Sequence, residues 1–204
     1  MKKYIYDAKT YEEAKGKALI ELGTEEKNII INTLEEKQGL LKKNVKIEVI
    51  MINDVLSYLK DKINTILNLM NIDSKLEVRR NEGSIKINIF SNHNSILIGK
   101  DGKILDSLQN IMRQILTKEI STDLKLIIDV ENYKEHRITN IERTARKVAR
   151  EVAKTKIEAN LEPMNSYERR IVHNTLSKNK YVYTKSIGEE PNRYVVIKLK
   201  EENL

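Results

Sequence analysis

Ile98-Gly99-Lys100-Asp101-Gly102-Lys103-Ile104-Leu105-Asp106-Ser107-Leu108-Gln109 decides how the middle of this chain is read. Two glycines bracket two polar residues. A short apolar turn, Ser95 to Ile98, precedes them, and Ile104, Leu105, Leu108, Ile111, Met112 and Ile115 follow at helical spacing. Without Cβ atoms the backbone of such a loop can approach a sugar-phosphate chain, and the N–H groups that open the next helix favour an anion. Lys100 adds a positive charge, whereas Asp101 opposes a phosphate, so the electrostatics rest on Lys100 and the backbone dipoles. Taken alone, Gly-x-x-Gly is also a common turn between helices, and its surroundings must settle its meaning. A Walker-type phosphate loop is excluded, because Asp101 stands where Ser or Thr would hold magnesium.

Working outward, Asn53-Asp54 is suited to cap a helix on which Val55, Leu59, Ile63, Ile66, Leu67 and Met70 keep a period near 3.6 and which ends before Asn71. Lys75 to Arg80 and Ser84 to Phe90 alternate like strands around Asn81-Glu82-Gly83, a hairpin signal. A strand from Leu124 to Val130 closes the segment. The order is α-β-β-α-loop-α-β over residues 53–132.

Before it, a strand at Lys3 to Tyr6 leads to Thr10-Tyr11-Glu12-Glu13, a capping-box pattern. The helix it opens carries Tyr11, Ala14, Ala18 and Leu22 on one face and ends at Gly23. Two β-rich stretches, Asn28 to Leu34 and Val45 to Ile52, follow around a turn at Gln38-Gly39 and Lys42-Lys43-Asn44, which makes residues 1–52 a β-α-β-β module. After the middle segment, a helix of about Glu131 to Ala159 places Ile138, Ile141, Ala145, Val148 and Val152 on one side and Arg143, Arg146, Lys147, Arg150 and Lys154 on the other, with Pro163 expected to end it. Asn165-Ser166-Tyr167-Glu168 caps a second helix running to about Ser177. Tyr181 to Ile187 and Arg193 to Leu199 then read as strands around Gly188-Glu189-Glu190-Pro191-Asn192. The whole is an α+β chain of three small domains, residues 1–52, 53–132 and 133–204.

The 204 residues are 33% charged with a mean hydropathy of −0.52, yet Ile, Leu and Val recur throughout, so the chain is expected to fold. There is no Cys, which excludes disulfides, thiolate metal sites and a thiol nucleophile. His93, His136 and His173 lack metal-ligand spacing; no metal and no cofactor is expected. No carboxylate cluster or base–nucleophile pair at usable spacing points to an enzyme. Adjacent Glu189 and Glu190 suit a turn or a hydrogen-bonding role better than acid–base work. With no bilayer-length apolar run and no secretory leader, a cytosolic location is expected. The net charge of +7 is unevenly spread: residues 133–204 hold 16 basic against 10 acidic groups, while the preceding segments are nearly balanced. Such an excess points to a polyanionic partner, nucleic acid or an anionic membrane surface, and a solvated lysine-rich surface would give the same count.

The topology around Gly99-Lys100-Asp101-Gly102 resembles a KH domain of the type II arrangement. That resemblance implies that Ile98, Gly99, Lys100, Asp101 and Gly102 clamp the backbone of a single strand, with Ile98, Ile104 and strand residues near Ile87 lining a groove for bases. Ile98 and Ile104 fit equally well as ordinary core residues. Tyr167-Glu168-Arg169-Arg170-Ile171-Val172-His173, the strand to Ser186, Gly188-Glu189-Glu190-Pro191 and Arg193 resemble an Arg-x-x-x-His domain, which binds single-stranded nucleic acid. Arg169 and His173 would be its defining pair, four apart and so on one helix face, with Arg170, Lys185 and Arg193 as neighbours. Tyr181, Tyr183 and Tyr194 are candidates for base stacking in a chain with one Phe, Phe90, and no Trp.

A β-α-β-β module, a KH-like unit and an Arg-x-x-x-His domain in this order resemble the Jag family over essentially the whole chain. The resemblance implies a cytosolic regulator that binds single-stranded RNA, linked to cell elongation, division or sporulation. It also implies a second small KH-domain protein or a second copy as partner, and a YidC-type membrane insertase met through the first module. The alternative it leaves open is an insertase-associated adaptor at the membrane with nucleic-acid binding secondary. In the first module the family's glycine-rich Lys-Gly-Phe-Leu-Gly turn is replaced by Lys37-Gln38-Gly39-Leu40-Leu41-Lys42, with one glycine and no Phe.

Overall fold

A computed structural model describes residues 1–38, 43–81, 83–120 and 124–200. The turn at residues 39–42 and Glu82 of the hairpin Asn81-Glu82-Gly83 lie outside the described residues. The chain divides into two compact units, Met1–Glu131 and Asn132–Leu204, and carries three three-stranded sheets. It is an α+β protein, as its sequence patterns indicate. No helix among the described residues is long and apolar enough to cross a membrane.

In the first unit, β1 (Lys3–Ala8), α1 (Tyr11–Leu22), β2 (Ile29–Gln38) and β3 (Lys43–Met51) form an antiparallel sheet in the order β1-β3-β2. Thr10 caps α1 by accepting from the Glu13 N–H at 3.2 Å, and Glu13 reaches back to the Lys9 N–H, one residue before the cap. Ala14 and Ala18 bury the inner stripe of α1 against Ile47 and Val49, while Tyr11 stays 38% exposed. Helix α2 (Ile52–Leu69) starts directly after β3. Ile52 therefore opens a helix instead of closing a strand, and Asn53-Asp54 falls inside the first turn. Met51 is the capping residue and gives no side-chain bond.

The strands β4 (Ser74–Asn81) and β5 (Ser84–Ser91) pair antiparallel; β5 and β6 (Lys125–Val130) pair parallel. A parallel neighbour demands a crossover, here supplied by α3 (Asn94–Ile98), a tight turn at Lys100–Gly102 and α4 (Lys103–Glu119). The apolar turn expected at Ser95 to Ile98 is thus a short helix. Alternation on β5 sends Ile85, Ile87 and Ile89 into a core shared with Val55, Leu59, Ile63 and Leu67 of α2 and Leu105, Met112 and Leu116 of α4. Asn28 accepts from Arg80 Nη1 at 2.9 Å, which ties the first sheet to β4.

In the second unit, α5 (Tyr133–Thr155) and α6 (Ser166–Leu176) pack on one face of a sheet ordered β7-β9-β8, with β7 at Ala159–Asn160, β8 at Val182–Ile187 and β9 at Tyr194–Leu199. Ile141, Ala145, Ala149 and Val152 of α5 meet Val172, Leu176, Val182, Val195 and Ile197 in the core. The sequence places the end of α5 near Ala159 and assigns it to Pro163; the helix stops at Thr155, where Lys156 adopts a left-handed conformation with φ +67°. Sheet bonding takes over: Ala159 and Asn160 pair with β9, Leu161 N–H donates to Val195 O at 2.9 Å, and Met164 N–H donates to Arg193 O at 3.1 Å.

Candidate nucleic-acid interface

Residues expected to contact nucleic acid fall in both units. In the first, the loop leaves α3 through Gly99, at φ +68° and ψ −175°, a conformation that essentially only glycine adopts. A Cβ there would lie 2.5 Å from Ile104 Cγ1. Asp101 and Gly102 then turn left-handed, at φ 56° and φ 80°, before α4 starts at Lys103. Lys100 is exposed at the tip, Gly102 is buried, and Gly99 N–H is bonded to Ser95 O at 2.9 Å. The result is a narrow backbone ridge with one protruding cation. Ile98 is half-buried, while Ile96, Ile104 and Ile111 are 48, 44 and 50% exposed and flank the ridge on α3 and α4. Ile87 is fully buried and cannot line an open groove, because strand alternation points it into the core.

In the second unit a complete capping box fixes α6: Asn165 Oδ1 accepts from Glu168 N–H and Glu168 Oε2 accepts from Asn165 N–H. The other Glu168 oxygen holds Arg137 Nε of α5 at 2.8 Å, so one buried carboxylate caps α6 and ties it to α5. Arg169, next along, is only 7% exposed. Its Nη1 donates to Met164 O and to Glu190 Oε1, both at 2.8 Å, clasping the turn before β9. Glu190 therefore has the hydrogen-bonding role its setting suggested.

His173, one helical turn on, bridges α6 to β8: Nδ1 lies 2.6 Å from Thr184 Oγ1 and Nε2 lies 3.0 Å from Ser186 Oγ. Burial, with the Arg169 charge adding to it, holds its imidazole below the ordinary histidine range. The ring is thus neutral near pH 7 with both nitrogens engaged. Arg169 and His173 do share a face, and that face is turned inward onto the turn and the sheet.

Strand alternation separates the remaining candidates. Because Thr184 and Ser186 face α6, the exposed Lys185 between them lies on the opposite face of the sheet, where Tyr183 is 44% exposed and Tyr194 is half-buried. Arg170 is exposed on the outer side of α6. Arg193 is half-buried and its Nε has no hydrogen-bond partner in the structure. Tyr167 and Tyr181 are 62 and 56% exposed. The groups that hold His173 were not picked out from sequence; their only signal is two hydroxyls spaced by two on one strand.

Comparison with known proteins adds independent findings. The family model described as "Jag N-terminus" matches residues 6–51, and the model of the Arg-x-x-x-His domain matches residues 139–199. A protein named RNA-binding protein KhpB from Clostridium symbiosum is 39% identical over 203 residues, covering 96% of this chain and 91% of that protein. The protein of the same name from Bacillus subtilis (strain 168) is 32% identical, covering 91% of this chain and 93% of its own length. That of Streptococcus pneumoniae serotype 2 is 31% identical over 177 residues, and the match takes in 87% of this chain and 52% of that protein.

Proposed function

The chain belongs to the Jag family, in which its KhpB relatives stand, and from that premise we propose that it is a regulatory protein that binds single-stranded RNA through three modules, residues 1–52, 53–132 and 133–204. The observation that carries the reading is the loop at residues 99–102. Its backbone is exposed and free of side-chain bulk at the entry, it opens α4, and it presents Lys100 to solvent. These are the requirements for meeting a sugar-phosphate chain, and the apolar Ile98 and Ile104 beside it offer surface to bases.

In the last module the charge that reaches solvent belongs to Arg170 and Lys185, while Tyr181 and Tyr183 offer faces on which bases can stack. We assign Arg169 and His173 to positioning. They lock the turn and β8 against α6, and so set the surface from which those side chains project. Two weak sites on one chain reinforce each other, because binding at one raises the effective concentration at the other.

The test is a titration of the ¹⁵N-labelled full chain with a short oligouridylate, read by amide chemical shifts. The reading expects Gly99 to Gly102 and the α6–β8 surface to move together. Shifts that leave both regions untouched would overturn it.

A further inference from the structure

In the second unit, Arg169 is neutralised by Glu190 and His173 is uncharged, so the residues that define the module supply little free positive charge. Positive charge collects instead along the outer side of α5. Arg143, Arg146, Lys147, Arg150 and Lys154 are all exposed, on the side opposite Ile141, Ala145 and Val152. From Arg143 to Lys154 this stripe runs about 16 Å at 1.5 Å per residue.

Where α5 passes the end of α6, the stripe becomes concave. Arg146, Arg150, Thr175, Leu176, Lys178 and Asn179 line a cleft of about 440 Å³. Three of the six are cations and none is a carboxylate. Arg146 shares its charge with Glu142 at 3.1 Å in an exposed pair of small net strength, whereas no ion pair with a described residue engages Arg150 or Lys178. The Thr175 side chain adds a hydroxyl. Asn179 is occupied in the turn, accepting from the Tyr181 and Val182 N–H groups, and so fixes the wall that Lys178 stands on.

We propose that this α5–α6 cleft is a phosphate-binding track for single-stranded nucleic acid, separate from the Arg169–His173 pair; the proposal rests on the RNA-binding reading above. Charge complementarity names the occupant, and the shape and composition favour a strand over a lipid surface. An interfacial helix needs exposed apolar side chains beside its cations, and none of the exposed large apolar residues among those described lies on α5.

The experiment measures binding of the full chain to a fluorescein-labelled oligouridylate across a salt series, for the parent, for Arg150→Ala/Lys178→Ala and for the charge-preserving Arg150→Lys/Lys178→Arg. Each neutralised phosphate on a single strand contributes about 0.7 to the log–log salt slope, so the alanine pair should make the slope shallower by about 1.4. The charge-preserving pair should keep the parent slope. All three should share one far-ultraviolet spectrum and melting temperature, since both positions are exposed.

If the parent binds with a steep slope and the alanine pair overlays it, the cleft is not the track and the RNA-binding reading survives. A parent without salt-dependent binding overturns both. Flotation with phosphatidylserine vesicles completes the test: vesicle binding lost in the alanine pair with its RNA titration unchanged would assign the cleft to lipid and overturn the proposal.

Discussion

Gly99→Ala probes whether the loop backbone is as constrained as it looks. At φ +68° and ψ −175° an L-residue pays the cost of a sparsely populated region, about 2 kcal/mol within the range of 1–3 for such positions. The new methyl also meets Ile104 Cγ1 at 2.5 Å, Cδ1 at 2.8 Å and Cβ at 3.0 Å. Ile104 is 44% exposed, so its side chain can swing aside at roughly the cost of an off-rotamer χ angle, about 1 kcal/mol. Backbone strain therefore outweighs the clash, and the substitution should lower unfolding stability by about 3 kcal/mol. Urea denaturation of Gly99→Ala, Ile104→Ala and the double variant separates the two parts. In the Ile104→Ala background the cost should fall to about 2 kcal/mol, a coupling of about 1. A cost below about 0.5 kcal/mol for Gly99→Ala alone, or its complete disappearance in the Ile104→Ala background, would refute the reasoning.

Four other perturbations follow. Lys100→Asp puts a second carboxylate beside Asp101 on an exposed tip; it should weaken single-stranded RNA binding with the melting temperature unchanged, and unchanged affinity in a folded variant removes the loop from the interface. Arg169→Ala/His173→Ala should weaken binding while leaving the salt slope nearly as it was, because the Arg169 charge is already balanced by Glu190; a slope shallower by about 0.7 would instead put Arg169 on a phosphate. The depressed His173 pKa means that the unfolded chain binds more protons as pH falls through the ordinary value of 6.5. Stability should therefore drop on acidification from there, and urea midpoints of His173→Gln at pH 7.5 and 5.5 should differ less than those of the parent; an identical difference contradicts this. Asn165→Ala removes the cap of α6 and should cost about 1 kcal/mol in urea, with a neutral result showing that the Glu168–Arg137 tie suffices alone.

Much of the fold was legible because its local signals agree with its tertiary packing. Thr10 and Asn165 cap where their motifs stand, and the alternation of Ile85, Ile87 and Ile89 marks a strand buried on one face. The failures come from competition that one segment cannot display. Nothing in Lys156 or Ala159 says that β9 offers an edge to pair with, so Pro163 looked like the helix breaker although the helix had already ended. Asn53-Asp54 looked like a cap because both residues cap well, yet β3 feeds α2 so directly that Met51 takes the position.

The candidate site divides along the same line. The loop at residues 99–102 is a local object, and its glycines, its lysine and its place before a helix can be read residue by residue. The Arg169–His173 pair is recognisable by spacing, but what it touches is not local. Glu190 lies 21 residues beyond Arg169, and Thr184 and Ser186 face α6 only once the sheet has formed. Sequence alone therefore makes both side chains look like free donors, and the fold shows them engaged. Burial of Ile87 illustrates the opposite error, a groove residue by analogy that strand alternation sends to the core.

The central claim is recognition of a single RNA strand. Fluorescence anisotropy of the full chain against a short single-stranded RNA, its DNA equivalent and a duplex RNA, each at two salt concentrations, tests it most directly. The account predicts salt-sensitive binding to the single-stranded RNA that clearly exceeds binding to the duplex. Equal, weak binding to all three would contradict it and reduce the basic surface to nonspecific charge.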